Sequence, residues 1–180
     1  MPDTQWPRYM VFQQGREGQP YAHNGTVHAP DPEMALLNAR DVFSRRPEAS
    51  GMWVVPADQI LSMTQQELEK QDWKGVKAKD KTSVYHVFGK FYEQGQCEHI
   101  GEVKTSSHEH AMQLAVQQFE DKNPIWWWVF PASAVTVSLP DEAGSMFAPA
   151  LEKTYKNQSE YPTVTMMRQL HQKGRLGGSS

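Results

Sequence analysis

The side chains in this 180-residue chain that could act on a substrate, a metal or a phosphate are seven histidines, one cysteine and a few clustered arginines. His108-Glu109-His110 first suggests a metal-ligand pair, two imidazoles flanking a carboxylate. That segment reads as the first turn of a helix, where residues two apart project in different directions, so the pair does not converge on one ion. His23 and His99 hold matching positions in two strand-like segments and are expected to pack beside Gly25 and Gly101 rather than to exchange protons. Cys97 falls near a hairpin end with no local pattern that would lower its pKa, which speaks against a nucleophile. Arg40, Arg45 and Arg46 could grip the phosphates of a coenzyme A thioester, although helix geometry more simply makes them a solvated or interface face. Two chemical alternatives stay open at this point: a small independent enzyme with a histidine metal site, and a stand-alone coenzyme A thioester binder.

Longer motifs are missing. The sequence holds no Glu-x-x-His or Asp-x-x-His, the helix-borne ligand pattern of carboxylate-bridged di-iron proteins. It also lacks His-Glu-x-x-His, Cys-x-x-Cys and the glycine-rich phosphate loops, and it has no Gly-x-Ser-x-Gly. No catalytic, cofactor-binding or metal residue is therefore assigned. The residues point instead to a protein that binds and positions other macromolecules.

A formal net charge of -3 offers no electrostatic attraction for nucleic acid. No apolar run approaches the roughly 18 residues of a membrane span. A lone cysteine excludes an internal disulfide, and Met1 to Gln5 lacks the basic-then-apolar pattern of a signal peptide, so the cytoplasm is the expected compartment.

The elements that must position these residues come in two copies. A shift of 76 positions pairs Tyr9, Val11, Phe12, Glu17, His23, Gly25 and Val27 with identical residues at 85, 87, 88, 93, 99, 101 and 103. The match continues through Glu33, Ala35, Ala39 and Phe43, then at a shift of 75 through Trp53, Val54, Pro56 and Ala57. Fifteen identities in roughly 50 positions far exceed the chance level of about 6 %, so the chain carries a tandem duplication. Each copy reads β-β-α-β. In the first, strands at 8–14 and 23–29 precede a helix at 32–46 and a strand at 52–57. Asp31 caps that helix, Pro32 opens it and Pro47 stops it. In the second, strands at 83–91 and 97–104 precede a helix capped by Ser107 and running to about 121, a stop at Asn123-Pro124 and a strand at 126–131. The expected fold is α+β: two β-β-α-β repeats forming a pseudo-twofold two-layer sandwich, with helices packed on an antiparallel or mixed sheet. Residues 6–60 form the first repeat, 61–82 a solvated linker with one capped helical turn at Thr64-Gln65-Gln66-Glu67, 83–135 the second repeat and 136–180 a C-terminal tail lying across another surface.

The third strand of each copy is apolar on both faces. Trp126, Trp128 and Phe130 point one way, Trp127 and Val129 the other. A buried tryptophan is worth roughly 4–6 kcal/mol before entropy is subtracted, so the face that the helix leaves bare needs a cover. The other repeat, the tail or a partner protein could supply it.

The first copy resembles a known family. Trp6-Pro7-Arg8-Tyr9-Met10-Val11-Phe12, Gly25-Thr26-Val27-His28-Ala29, the run Met34 to Glu48 with its Asn38-Ala39-Arg40-Asp41 and Arg45-Arg46, and Met52-Trp53-Val54-Val55-Pro56-Ala57 are similar in order and spacing to the B subunit family of phenylacetic acid degradation, PaaB. The second copy keeps the skeleton but has Leu114-Ala115-Val116-Gln117 and Asp121-Lys122 where those features stood. The stretch Phe147 to Tyr155 with Tyr161-Pro162-Thr163 is similar to the family's C-terminal extension. The usual member is a single unit of about half this length, so the duplication is a departure. The resemblance implies a small subunit without a cofactor of its own. By that resemblance, the subunit as a dimer bridges heterodimers of a di-iron catalytic subunit and its structural partner in a bacterial oxygenase that epoxidises phenylacetyl-coenzyme A. One chain would then imitate the homodimer. Trp6, Arg40, Arg45, Arg46, Trp53, Trp126, Trp127, Trp128, Phe147, Tyr155 and Tyr161 are the candidate partner-interface residues.

Overall fold

The computed structural model describes residues 6–44, 49–73, 82–138 and 167. The described residues form, in chain order, β1 (Arg8–Gln14), β2 (Ala22–His28), α1 (Pro32–Phe43), β3 (Gly51–Pro56), β4 (Leu61–Thr64), α2 (Gln65–Lys70), β5 (Ser83–Lys90), β6 (Cys97–Thr105), α3 (His108–Gln118), β7 (Trp126–Pro131) and β8 (Thr136–Val137). The α+β class and both β-β-α-β units are present, and every strand pairing among the described residues is antiparallel.

Local chemistry sets the helix starts. The Asp31 carboxylate accepts from the Met34 N–H at 2.8 Å, with Pro32 and Glu33 in the first turn, and Ser107 accepts from the His110 N–H at 3.2 Å. Thr64 and Glu67 close a reciprocal capping box: the Thr64 N–H donates to Glu67 at 2.7 Å and the Glu67 N–H to Thr64 at 3.3 Å. Helix α1 ends at Phe43, where the Ser44 N–H still bonds to the Arg40 carbonyl; the expected stop at Pro47 lies outside the described residues, as do Lys74, Lys77, Lys79, Lys81 and the tail beyond Ser138 apart from Met167. Helix α3 ends at Gln118, short of the expected 121. A 3-10 turn, Glu120–Lys122, carries the chain to Asn123, whose φ of 44° is the left-handed conformation that asparagine tolerates.

The strands run β4-β7-β5-β6-β2-β1-β3-β8 in one sheet, with the two copies meeting at β2 and β6. That seam is thin: one bridge, Ala22 opposite Glu98, and a bond from the His99 N–H to the Tyr21 carbonyl at 2.8 Å. The copies are tied instead at the outer edges. Leu61–Thr64, expected to be linker, is a strand, and it pairs not with its own copy but with β7, Leu61 opposite Val129 through Thr64 opposite Trp126. In return β8, which follows the second copy, pairs with β3 of the first, and Ser138 bonds to the Met52 backbone through both its N–H and its hydroxyl. Each copy thus lends its fourth strand to the other.

The sheet curls strongly. Phe12 on β1 and Phe130 on β7 lie four strands apart in the sheet, about 19 Å in a flat one, yet their ring centroids are 5.3 Å apart. Helices pack on the two outer surfaces, Ala35 and Ala39 over Tyr9, Val11, Met52 and Val54, and Ala111, Met112 and Ala115 over Tyr85, Val87, Trp127 and Val129. Between the sheet halves lies a third layer of Phe12, Val55, Phe88, Cys97 and Phe130, flanked by Trp53 and Trp128. Among the three covers open in sequence, the other repeat therefore closes the second apolar face.

Candidate functional site

The polar chemistry of the fold gathers on the inner face of the sheet at the seam. A bulge puts it there. In the β5–β6 hairpin, Val87 pairs with Gly101 and Phe88 with His99, so Ile100 is an extra residue. Positions 99 and 102 would face opposite sides of a regular strand, and the bulge turns both inward. His86 lies directly opposite Glu102, its Nδ1 3.3 Å from Glu102 Oε1 and 3.3 Å from His99 Nε2. These three ligand atoms lie within 4.8 Å of one another, a grouping of a kind that can hold a metal ion. Trp53 of the first copy closes one side, its ring 4.7 Å from that of His86 and stacked at 3.9 Å on Tyr21. Burial lowers the pKa of both imidazoles, that of His99 to about 4, although Glu102 opposes the shift. Both are neutral at pH 7.

The first copy has the same bulge without the same site. His23 matches His99, packs against Trp128 at 4.8 Å and Phe12 at 5.5 Å, and has its pKa lowered by burial. At the positions of His86 and Glu102, however, stand Met10 and Thr26.

The other expected residues are dispersed. His108 Nε2 lies 3.0 Å from the Gln59 carbonyl oxygen and His110 Nδ1 2.6 Å from the Thr105 hydroxyl, so this pair is engaged in two separate structural contacts. What covers the glycines beside His23 and His99 is phenylalanine: a Cβ on Gly25 would meet the Phe43 ring at 2.8 Å, and one on Gly101 would overlap the Phe119 ring. The Cys97 thiol is buried and pushed up to about 12, which makes it a poor nucleophile. Arg40 pairs with Asp41 at 3.1 Å, and Arg45 and Arg46 lie outside the described residues.

Of the candidate interface residues, Trp6 is 60 % exposed and Trp126 39 %, the latter donating its indole N–H to the Ser62 hydroxyl at 2.7 Å. Trp127 is buried beneath α3, and Trp53 and Trp128 flank the layer between the copies. Trp127 therefore leaves the interface set, because the helix of its own copy already occupies its face. Phe147, Tyr155 and Tyr161 lie outside the described residues. Sequence reading missed His86 and Glu102. The signal was present in the repeat alignment, where two inward positions change from Met10 and Thr26 to a histidine and a carboxylate.

The phenylacetic acid degradation B family matches the chain twice, over residues 5–82 and 81–168. The chain belongs to the PaaB family. Its two PaaB units stand in tandem, as the internal repeat requires. A relative from Escherichia coli (strain K12), the B subunit of 1,2-phenylacetyl-CoA epoxidase, is 43 % identical over 67 residues, covering 37 % of this chain and 70 % of the relative. No solved structure shows significant similarity to the chain. Among the described residues no helix is long and apolar enough to cross a membrane.

Proposed function

We propose that this double PaaB chain is a non-catalytic bridging subunit of an oxygenase complex of the phenylacetyl-CoA epoxidase type, in which one cytoplasmic polypeptide takes the place of a homodimer. Its partners are a di-iron catalytic subunit and that subunit's structural companion. The observation that carries this reading is the pairing of two family units in one sheet with exchanged fourth strands. A noncovalent dimer dissociates on dilution, whereas a fused pair does not, and fusion frees the two copies to diverge.

The outer helices have diverged in a way that suits two unequal contacts. On α1, Met34, Leu37 and Val42 are exposed; the matching positions on α3 are His110, Gln113 and Gln118. One face stays apolar and the other has become polar, so α1, with Trp6 and Arg40, is the surface best suited to a partner. Co-expression with the catalytic pair, followed by size exclusion with mass determination, tests the reading. The expected result is one complex containing all three chains, from which Leu37→Asp releases this subunit without unfolding it. Elution of the wild-type chain apart from the pair would refute it.

A further inference from the structure

We propose that His86, His99 and Glu102 form a binding site for one zinc ion, built into the second copy only. In a tetrahedral site with zinc–nitrogen bonds of about 2.0–2.1 Å, ligand atoms sit about 3.3–3.4 Å from one another. Two of the three separations already have that length, both measured from His86 Nδ1 at 3.3 Å. Glu102 is half-exposed, so its carboxylate can swing to bring the third separation into range, and water from the open side takes the fourth position.

Hydrogen bonding alone satisfies this cluster poorly. His86 Nδ1 faces both His99 Nε2 and Glu102 Oε1. If it carries a proton and gives it to the carboxylate, it cannot accept from His99; if it accepts from His99, its lone pair confronts the carboxylate. A cation among the three atoms removes that conflict. Burial holds both imidazoles in the neutral form that ligates metal. Zinc suits two nitrogens and one carboxylate oxygen. There it would staple the β5–β6 hairpin beside Trp53 at the thin seam between copies.

The repeat supplies an internal contrast. The first copy has the bulge and the histidine, His23, but Met10 and Thr26 complete no ligand set. The ligand set is thus present in one copy only, separate from the His108 and His110 pair.

Isothermal titration of the metal-stripped full chain with zinc chloride tests the proposal, with cobalt(II) absorption as a report of tetrahedral geometry. The expected result is one equivalent bound by the wild type and by His28→Gln, and at least tenfold weaker binding by Glu102→Gln and His86→Gln. Glu102 is exposed enough for its variant to fold, which far-UV circular dichroism verifies. No zinc uptake by the wild type, or equal affinity in the wild type and Glu102→Gln, overturns the proposal.

Discussion

Replacing Phe88 by alanine probes the layer on which the union of the two copies depends. The Phe88 ring is fully buried, with centroids 4.6 Å from Phe12 of the other copy, 5.3 Å from Phe130 and 5.1 Å from His99. Removing it forfeits roughly 150 Å² of apolar burial, near 4 kcal/mol at about 25 cal/mol per Å², and the residual cavity keeps the total within the roughly 3–5 kcal/mol typical of such truncations. With a urea dependence of ~2 kcal/mol per molar, the unfolding midpoint should fall by about 2 M. Because the ring contacts both copies and their fourth strands are exchanged, tryptophan fluorescence and far-UV circular dichroism should shift together in a single transition. A double-mutant cycle of Phe12→Leu with Phe88→Leu should show a coupling of about 0.5–1.5 kcal/mol between the copies. Two separate transitions, only one of them displaced, or a midpoint shift below about 0.5 M would refute a shared core.

Gly101→Ala should destabilise by about 1–3 kcal/mol in the same urea assay, because its Cβ would overlap the Phe119 ring on the helix side of the sheet. Acid should weaken the chelator-treated protein in a defined window. His99, His86 and His23 have folded-state pKa values below the ordinary 6.5, so the unfolded chain binds protons that the folded chain refuses, and the stabilisation present above pH 6.5 is lost as pH falls toward about 4, where His99 itself protonates. Urea midpoints at pH 7.5, 6 and 5 check this, with His99→Gln expected to flatten the slope.

Much of the secondary structure was legible because it rests on neighbours in the sequence. Asp31 and Ser107 mark helix starts through bonds to N–H groups three residues on, and the inward and outward sets of β7 follow from simple alternation, with Trp127 and Val129 under α3 and Trp128 and Phe130 on the other face. The candidate site was less visible. Alternation counted from His99 assigns Glu102 to the wrong face, and only the extra residue Ile100 corrects it. His108 and His110 drew attention by proximity in the chain, while His86 and His99, thirteen residues apart, meet across a hairpin.

The sequence by itself determined that there are two copies, that each is β-β-α-β, and that they descend from one PaaB unit, since identities in register along the chain require no knowledge of contacts. Tertiary structure alone decided how the copies join. Leu61–Thr64 is short, and nothing in its four residues says which sheet edge it should pair with. In the fold it pairs with β7 of the other copy, while β8 takes the edge of β3. Tertiary structure likewise sets Trp53 over His86 and closes, between the sheet halves, the apolar face that the tryptophans of the third strands had left unexplained.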